Sequence, residues 1–300
     1  MALSIGIDYS KGAWKSCLME NGRPLELQLF NDNAAALTYL RQTCALYPDP
    51  MIALASDVNI LLTSLSNPTE QQSHEISGQH EDQQRTSAIN DLLIGIGSIN
   101  FNSYGLPAIR CLPGVPAYRR RGRPDMGSSN KLCSVVTLMH RLRRQEAIWQ
   151  EMRLLYLDID QNSRSIIVIE DGRVVNGLGE NAGAYADGPR QPAPGDIANG
   201  SDCMETLAEQ AFWEGVVQDL AGLMAIHHLD DVVVTGSRKE AAIEHLEDSY
   251  QFYHFPYDGS EGFEAAVGAA IIAEGLRYPG LAREVVERLQ LAQVSKRLQS

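Results

Sequence analysis

The chain has 300 residues, which suits one large domain or two domains of ordinary size and excludes a small scaffold held by disulfides. Apolar residues make up 44% and charged residues 21%, the balance of a folded globular protein. With 25 Lys and Arg against 38 Asp and Glu, the formal net charge is -13, so the average surface repels a phosphate backbone. The composition therefore argues against general nucleic-acid binding.

The cysteine pattern and the N-terminal sequence indicate the compartment. The five cysteines lie at wide spacings without a CxxC pair, which favours neither a disulfide framework nor a thiolate zinc site. The first residues enter an alternating strand pattern at once, without the basic and apolar segments of a signal peptide. The longest uncharged stretch, residues 92–109, is broken by Gly, Pro and Asn and is too polar to span a bilayer. We expect a cytoplasmic protein with no membrane partner.

The two halves of the chain begin alike. A displacement of 150 residues superposes Ile7-Asp8 on Leu157-Asp158 and residues 20–23 (ENGR) on residues 170–173 (EDGR). In each half a strand ends in Asp, a second strand follows, and an Asn-Gly or Asp-Gly turn leads into a third. Chance similarity between hairpins is the alternative, but the identities fall at the turns. The repeat predicts two similar domains, at 1–151 and 152–300.

After each three-stranded meander the pattern becomes mixed. Apolar periodicity predicts the following elements: a helix over 33–46, a buried strand over 51–58, a helix over 129–151 behind a Ser cap, a helix over 202–228, a buried strand over 231–235, an Ala-rich helix over 262–276 and a terminal helix over 281–298. Such alternation predicts an α/β layer structure in each half. The polar segment 66–90 is expected to be an excursion from the first domain, and residues 179–200 a long loop.

The first hairpin carries groups suited to a metal-bound polyphosphate. Asp8, at the end of its strand, would be the magnesium carboxylate, since Mg²⁺ prefers oxygen ligands. Ser10 and the amides near Gly12 would contact phosphate oxygens, and Lys11 would neutralise charge. Acids at strand ends are often simple turn formers, which is the alternative reading of the same residues.

The second half repeats the pattern. Asp158 occupies the place equivalent to Asp8, and pairing two such carboxylates strengthens the phosphate hypothesis. Further on, a buried strand runs into Thr235-Gly236-Ser237, where a glycine would let the backbone approach a base or sugar closely. An ordinary turn between a strand and a helix produces the same three residues.

The order of these elements resembles the superfamily of acetate and sugar kinases, heat-shock ATPases and actin. The resemblance covers most of the chain: two Asp-tipped hairpins, a strand ending in Thr-Gly, and the Ala/Gly-rich helix that includes residues 265–270. It is closer to one branch, an uncharacterised prokaryotic family described as butyrate-kinase-like, because residues 112–120 (LPGVPAYRR) and 125–132 (DMGSSNKL) are similar to a run in that family. Residues 177–179 (GLG) are also similar to the family's Gly-Ile-Gly.

The resemblance implies two ribonuclease-H-like (actin-like ATPase) domains around a central cleft that holds ATP and Mg²⁺. The implied reaction is phosphoryl transfer to a small carboxylate, such as a short-chain fatty acid, by positioning and charge neutralisation. The residues that carry over are Asp8, Ser10 and Lys11 in the first phosphate hairpin, Asp158 in the second, Thr235-Gly236 at the adenosine strand with Ser237 beside it, and Asp125 and Lys131 near the acceptor.

One departure keeps a second hypothesis open. The family's second hairpin has Gly where this chain has Asp160, so a carboxylate stands where backbone should meet phosphate. Like charges about 4 Å apart cost roughly 4 kcal/mol at an effective dielectric near 20 unless a metal lies between them. Asp160 therefore either joins Asp8 and Asp158 as a metal ligand or weakens nucleotide binding. In the latter case the chain would be a non-catalytic member that acts through a homodimer or another protein partner.

Overall fold

A computed structural model describes most of the chain. The described residues are 3–10, 12–47, 50–57, 63–64, 94–96, 102–161, 163–184, 201–256 and 258–297. Lys11 and the polar segment expected at 66–90 lie outside these ranges, as do residues 185–200 of the long loop. Among the described residues, no helix is long and apolar enough to cross a membrane.

The chain forms two compact units that do not follow the sequence halves. The first unit contains Met1–Val115, Ser128–Trp149 and Pro256–Ser300, and the second contains Pro116–Gly127 and Gln150–Phe255. The expected boundary near residue 152 is close to one crossing between the units. The chain passes between the units at further points because residues 116–127 pack with the second unit. The C-terminal helices, after residue 255, pack with the first unit.

Both units are built around a sheet. The strands of the first sheet are β1 Leu3–Ser10, β2 Ala13–Glu20, β3 Arg23–Phe30, β4 Met51–Ser56, β5 Thr63–Ser64 and β6 Ser103–Gly105, in the order β3-β2-β1-β4-β6-β5. Those of the second are β7 Leu154–Ile159, β8 Arg164–Glu170, β9 Arg173–Leu178, β10 Asp231–Thr235 and β11 Gln251–His254, in the order β11-β10-β7-β8-β9. Each sheet joins an antiparallel meander to two parallel strands. The α/β layer structure expected in each half is confirmed.

The helices cover these sheets. In chain order they are α1 Asn33–Leu46, α2 Ala117–Arg120, α3 Ser129–Arg144, α4 Ser201–His227, α5 Lys239–Leu246, α6 Glu264–Arg277, α7 Leu281–Arg288 and α8 Leu291–Arg297. Short 3-10 turns occupy Ile109–Cys111 and Trp149–Glu151. Apolar residues of β1, β2, β4 and α1 form one core, and those of β7, β8, β10, α4 and α5 form another.

The repeat seen in the sequence extends to irregular details of the backbone. The pairing of β2 with β3 shifts between Leu18 and Met19, and that of β8 with β9 shifts between Val168 and Ile169, again 150 positions further on. The turns beside these bulges have positive φ in both units, at residues 21–22 and 171–172. The shared bulges and turns indicate that the same supersecondary structure occurs twice in the chain.

Helix α6 packs closely on β1 because both have small residues at the contact. A Cβ added to Gly6 would lie 2.0 Å from the carbonyl oxygen of Ala266 and 2.2 Å from the amide nitrogen of Ala270. A Cβ added to Gly268 would lie 1.8 Å from the carbonyl oxygen of Cys133 in α3. The small residues that marked this segment in the sequence thus let α6 pack closely on β1 and on α3.

Two helix predictions need correction. The helix expected over 129–151 ends at Arg144, and a separate 3-10 turn follows. Ser128 precedes it but does not cap it, since its hydroxyl donates to the side chain of Asn130. The terminal helix divides into α7 and α8 because Gln290 adopts a positive φ of 56°, which an α-helix cannot continue through.

Candidate functional site

Asp8 lies near the carboxyl end of β1, in the first unit. It pairs with Lys15 across the hairpin and with Ala55 on the parallel strand β4, and it is 3% exposed. The Ser10 hydroxyl donates to its Oδ2 over 2.9 Å. Its other oxygen, Oδ1, is buried and has no hydrogen-bond partner among the described residues. A buried acceptor of this kind is a place for a cation or a donor from outside the protein.

The surroundings of Asp8 hold opposing charges. Burial is the main influence and raises the pKa of Asp8 from 3.8 to about 6, with a further increase from the negative charge of Asp57. The Ser10 hydrogen bond lowers this pKa, as do the positive charges of Lys15 and Lys131. The carboxyl group therefore changes charge in mildly acidic solution.

The N-terminus of α3 is fixed beside this carboxylate by a reciprocal pair of hydrogen bonds. The Ser129 hydroxyl donates to the Ser56 carbonyl oxygen over 3.0 Å and accepts from the Ser56 amide over 2.8 Å. This pair ties the start of the helix to the end of β4, where Asp57 follows. Lys131, on the first turn of α3, is 6% exposed, so the same contact holds a buried cation near Asp8.

The donor set around Asp8 fits a magnesium ion. Mg²⁺ is usually held by one or two protein carboxylates together with phosphate oxygens and water, so it does not need a closed cage of side chains. Asp8 Oδ1 would supply one such ligand atom, and Asp57 brings a second carboxylate to the same strand ends. Within the described ranges there is no group of three or more His, Cys, Asp or Glu side chains that would hold a metal without the phosphates.

The equivalent site in the second unit is arranged differently. Asp158 pairs with Ser165 on β8 and with Thr235 on the parallel strand β10, and it is half-buried. The topology thus brings the predicted Asp158 and Thr235-Gly236-Ser237 to one sheet edge, as the pairing of β1 with β4 brings Asp8 beside Ala55 in the first unit.

Asp160 has a partner within the chain. Its Oδ1 accepts from the Ser237 amide over 3.1 Å and from the Ser237 hydroxyl over 2.8 Å. Gly236 has a φ of +100°, and an added Cβ would lie 2.1 Å from the Ile159 carbonyl oxygen. The close approach expected at Gly236 is therefore an approach to β7, and one oxygen of Asp160 holds the turn that follows β10.

Asp125 braces a loop of the second unit. One carboxylate oxygen accepts from the Gly127 amide and the other from the Asn181 amide, each over 3.0 Å. Its carbonyl oxygen accepts from the Gly179 amide over 3.4 Å. Asp125 thereby holds residues 179–181, the start of the predicted long loop. Lys131, the other residue predicted near the acceptor, belongs to the first unit.

Two arginines of the basic run at 119–123 and the buried His227 have partners within the second unit. Arg119 donates to the Val175 carbonyl oxygen over 3.0 Å and Arg123 to Asn176 Oδ1 over 3.4 Å, so two members of the basic run at 119–123 bind β9. His227 is buried at the end of α4, where Nδ1 lies 2.6 Å from a Glu170 oxygen and Nε2 lies 3.0 Å from the Asn176 amide nitrogen. Both ring nitrogens of this histidine therefore have side-chain partners.

Three residues at Asp8 or at the adjoining end of β4 were not singled out from the sequence. Asp57 directly follows a strand parallel to β1, and carboxyl ends of adjacent parallel strands meet, so its position was a usable signal. Lys15 faces Asp8 because a two-residue turn fixes the register of the hairpin. Ser129 gave no such signal, since its contact with β4 joins residues 73 positions apart.

Comparison with solved structures shows the fold. Acetate kinase from Entamoeba histolytica has a TM-score of 0.51 at 8% identity, with 82% of this chain and 87% of that chain covered. Acetate kinase from Porphyromonas gingivalis has a TM-score of 0.49 at 12% identity, covering 80% and 84%. A ROK family glucokinase from Streptomyces griseus, in complex with glucose and AMPPNP, has 0.47 at 11%, covering 89% and 98%. The first of these shows that the chain shares the α/β fold of that acetate kinase, which confirms the predicted fold class.

Comparison at the sequence level identifies the family. The profile described as "Protein of unknown function (DUF1464)" matches residues 31–191, which is more than half of the chain. A comparison with curated proteins finds no match. The chain belongs to the DUF1464 family, whose description names no activity and so leaves the butyrate-kinase-like specificity a hypothesis.

Proposed function

We propose that this member of the DUF1464 family is an ATP-dependent phosphotransferase that acts on a small carboxylate, as an acyl kinase does. The observation that carries the proposal is the buried Asp8 carboxylate, with one oxygen held by Ser10 and the other without a hydrogen-bond partner among the described residues. Structural relatives of the same fold include enzymes named acetate kinase, which supports this type of reaction.

The chain's own groups suit the charge of the substrate. In phosphoryl transfer the bond from the γ-phosphorus to the ADP oxygen breaks as a bond to the acceptor oxygen forms, and the protein contributes positioning and charge stabilisation. Asp8, with Asp57 near it, would hold Mg²⁺, which would neutralise phosphate charge when bound. Lys131 would offset negative charge at the same strand ends, and the Ser10 hydrogen bond would keep Asp8 oriented.

In the second unit, Asp158 and the turn at Thr235-Gly236 are proposed to face the nucleotide. Both lie at the carboxyl ends of paired strands, where ligands bind in open α/β sheets. Asp125 is proposed to act near the acceptor indirectly, by holding the loop at residues 179–181. The identity of the acceptor as a carboxylate is the more specific part of the proposal. The alternative acceptor is a sugar hydroxyl.

Calorimetric titration with ATP and Mg²⁺ tests the proposal. We expect magnesium-dependent binding that is lost in Asp8→Ala and retained in Glu20→Gln, a matched carboxyl variant at the far end of the same hairpin. A turnover assay then compares short-chain acids with hexoses. ADP release stimulated by an acid supports the carboxylate acceptor, stimulation by hexoses alone replaces it with a sugar, and absence of nucleotide binding refutes the phosphotransferase.

A second candidate function is a non-catalytic protein that acts through a partner, and one observation favours it. The Ser237 amide and hydroxyl, which the resemblance places beside the nucleotide, both donate to Asp160 instead. Asp160→Gly frees these donors and removes a negative charge, so it should strengthen nucleotide binding. Asp160→Asn keeps an acceptor for Ser237 while removing the charge, and it separates the two effects. Unchanged affinity in both variants would remove this argument.

A further inference from the structure

Strand β3 presents leucines to solvent along an open sheet edge. It is the outermost strand of the first sheet, and Leu25 and Leu29 are 53% and 55% exposed, with the half-buried Leu27 between them. Exposed edge strands usually carry charges or bulges that discourage pairing with another strand. From residue 26 to residue 30, β3 has one charged side chain, Glu26. The other protective features of β3, which are Arg23, Pro24 and the bulge at Leu25, lie at its start, so residues 26–30 form a mainly apolar edge with one charge.

The equivalent strand of the second unit is protected by the chain itself. Arg119 donates to the Val175 carbonyl oxygen of β9, Arg123 contacts Asn176, and the Gly179 amide donates to the Asp125 carbonyl oxygen. These contacts fasten the stretch 116–127 along β9. In the described part of the first unit, no strand pairs with the outer edge of β3. The two copies of the repeat differ at this edge, and only β9 has a covering segment among the residues that the structure describes.

The sequence of β3 is self-complementary in one antiparallel register. The bulge at Leu25 ends the regular ladder, so the regular run is residues 26–30, which pair with β2 in unbroken register. Its middle residue is Gln28. Antiparallel pairing of two such runs about Gln28 places Leu27 opposite Leu29 of the other copy and Glu26 opposite Phe30. This register matches leucine with leucine and keeps the two Glu26 side chains apart.

We propose that β3 is the docking site for a second copy of this chain, which pairs antiparallel to it about Gln28 and extends the first sheet across a two-fold axis. Apolar matching opposes the repulsion between two chains of net charge -13 each. Salt screens that repulsion and leaves apolar contacts in place, so association should strengthen as ionic strength rises. The inference does not depend on the proposed catalytic activity.

Sedimentation velocity over a concentration series tests the proposal with two matched double variants of the full chain. Leu27→Glu/Leu29→Glu puts Glu opposite Glu across the two-fold axis, whereas Leu27→Lys/Leu29→Glu puts Lys opposite Glu. Both variants remove the same leucines, and both place a carboxylate at position 29 opposite Lys15 of β2, so the cost to the monomer is closely matched. Thermal unfolding of each variant checks that both are folded.

The wild-type chain is expected to dimerise in the micromolar range, as edge-strand interfaces of modest area do. The Glu/Glu variant should raise the dissociation constant by at least about a hundredfold, through lost apolar contact and repulsion, and the Lys/Glu variant should restore part of that loss. A wild-type monomer at roughly 50 μM, or equal dissociation of the two variants, would overturn the proposal.

Discussion

Replacing Asp8 by Asn should stabilise the first unit at neutral pH. The carboxylate is fully buried and its charge is costly there, whereas the amide of Asn has nearly the same shape and no charge. The Ser10 hydroxyl can donate to the amide oxygen as it does to Oδ2. The substitution therefore removes a charge at little cost in packing.

The size of the effect follows from the pKa of Asp8, which burial raises from 3.8 to about 6. A pKa difference of about 2 between the folded and the unfolded chain corresponds to about 3 kcal/mol of folding free energy. Because the folded chain holds this proton more tightly than the unfolded chain, the contribution of Asp8 to stability is greatest below pH 3.8 and is lost as pH rises through about 6. The Asn variant lacks this loss. It should match the wild type near pH 4 and exceed it by up to about 3 kcal/mol at pH 7.5.

Urea unfolding between pH 4 and pH 8 measures this difference. Trp14 is buried in the core of the first unit, so Trp149→Phe and Trp213→Phe in a common background leave one fluorescent reporter there. Glu20→Gln serves as the control for loss of a carboxylate. Parallel pH profiles of the wild type and Asp8→Asn, or an Asn variant less stable at pH 7.5, would refute the buried-charge argument.

Three further variants probe the contacts around the site. Ser129→Ala breaks both hydrogen bonds to Ser56 and should lower the free energy of unfolding by about 1–3 kcal/mol in chemical denaturation. Calorimetry should show weaker magnesium–ATP binding. Unchanged stability would contradict the role of Ser129 in holding α3 to β4. Gly236→Ala should lower the melting temperature through its short contact and positive φ, whereas Gly222→Ala, with open space around its Cβ, should not; equal melting temperatures would contradict this. Asp125→Ala should speed amide hydrogen exchange at residues 179–181, and unchanged exchange would count against its bracing of the loop.

The meanders could be predicted because their signals are local. Alternation of apolar residues and the Asn-Gly and Asp-Gly turns lie within a few residues of the strands they define, and the 150-residue repeat reinforced both hairpins. The approach of Asp57 to Asp8 could also have been derived from parallel pairing. The hydrogen bonds from Ser237 to Asp160 could not have been predicted in this way. They join residues 77 positions apart and depend on how β7 and β10 lie side by side.

Helix boundaries were harder to predict where side chains compete for the backbone. The Ser before α3 is a typical capping residue, yet its hydroxyl donates to Asn130, which periodicity does not reveal. The division between α7 and α8 depends on one residue, Gln290, in a left-handed conformation that non-glycine residues seldom adopt. The division of the chain into two units likewise depends on the long-range packing of α6, which local sequence signals do not determine.

The packing of α6 on β1 also sets an order of assembly. Gly6 lies against Ala266 and Ala270, so β1 is covered by a helix that is synthesised about 260 residues after it. Contacts between such distant residues form slowly, and domains tend to fold as units during synthesis. The second unit, whose residues lie between the two, can fold while the first sheet still waits for its helix. A chain that ends at residue 255 should therefore retain a protease-resistant second unit while β1 is cleaved, and protection of β1 in that truncated chain would disprove this order.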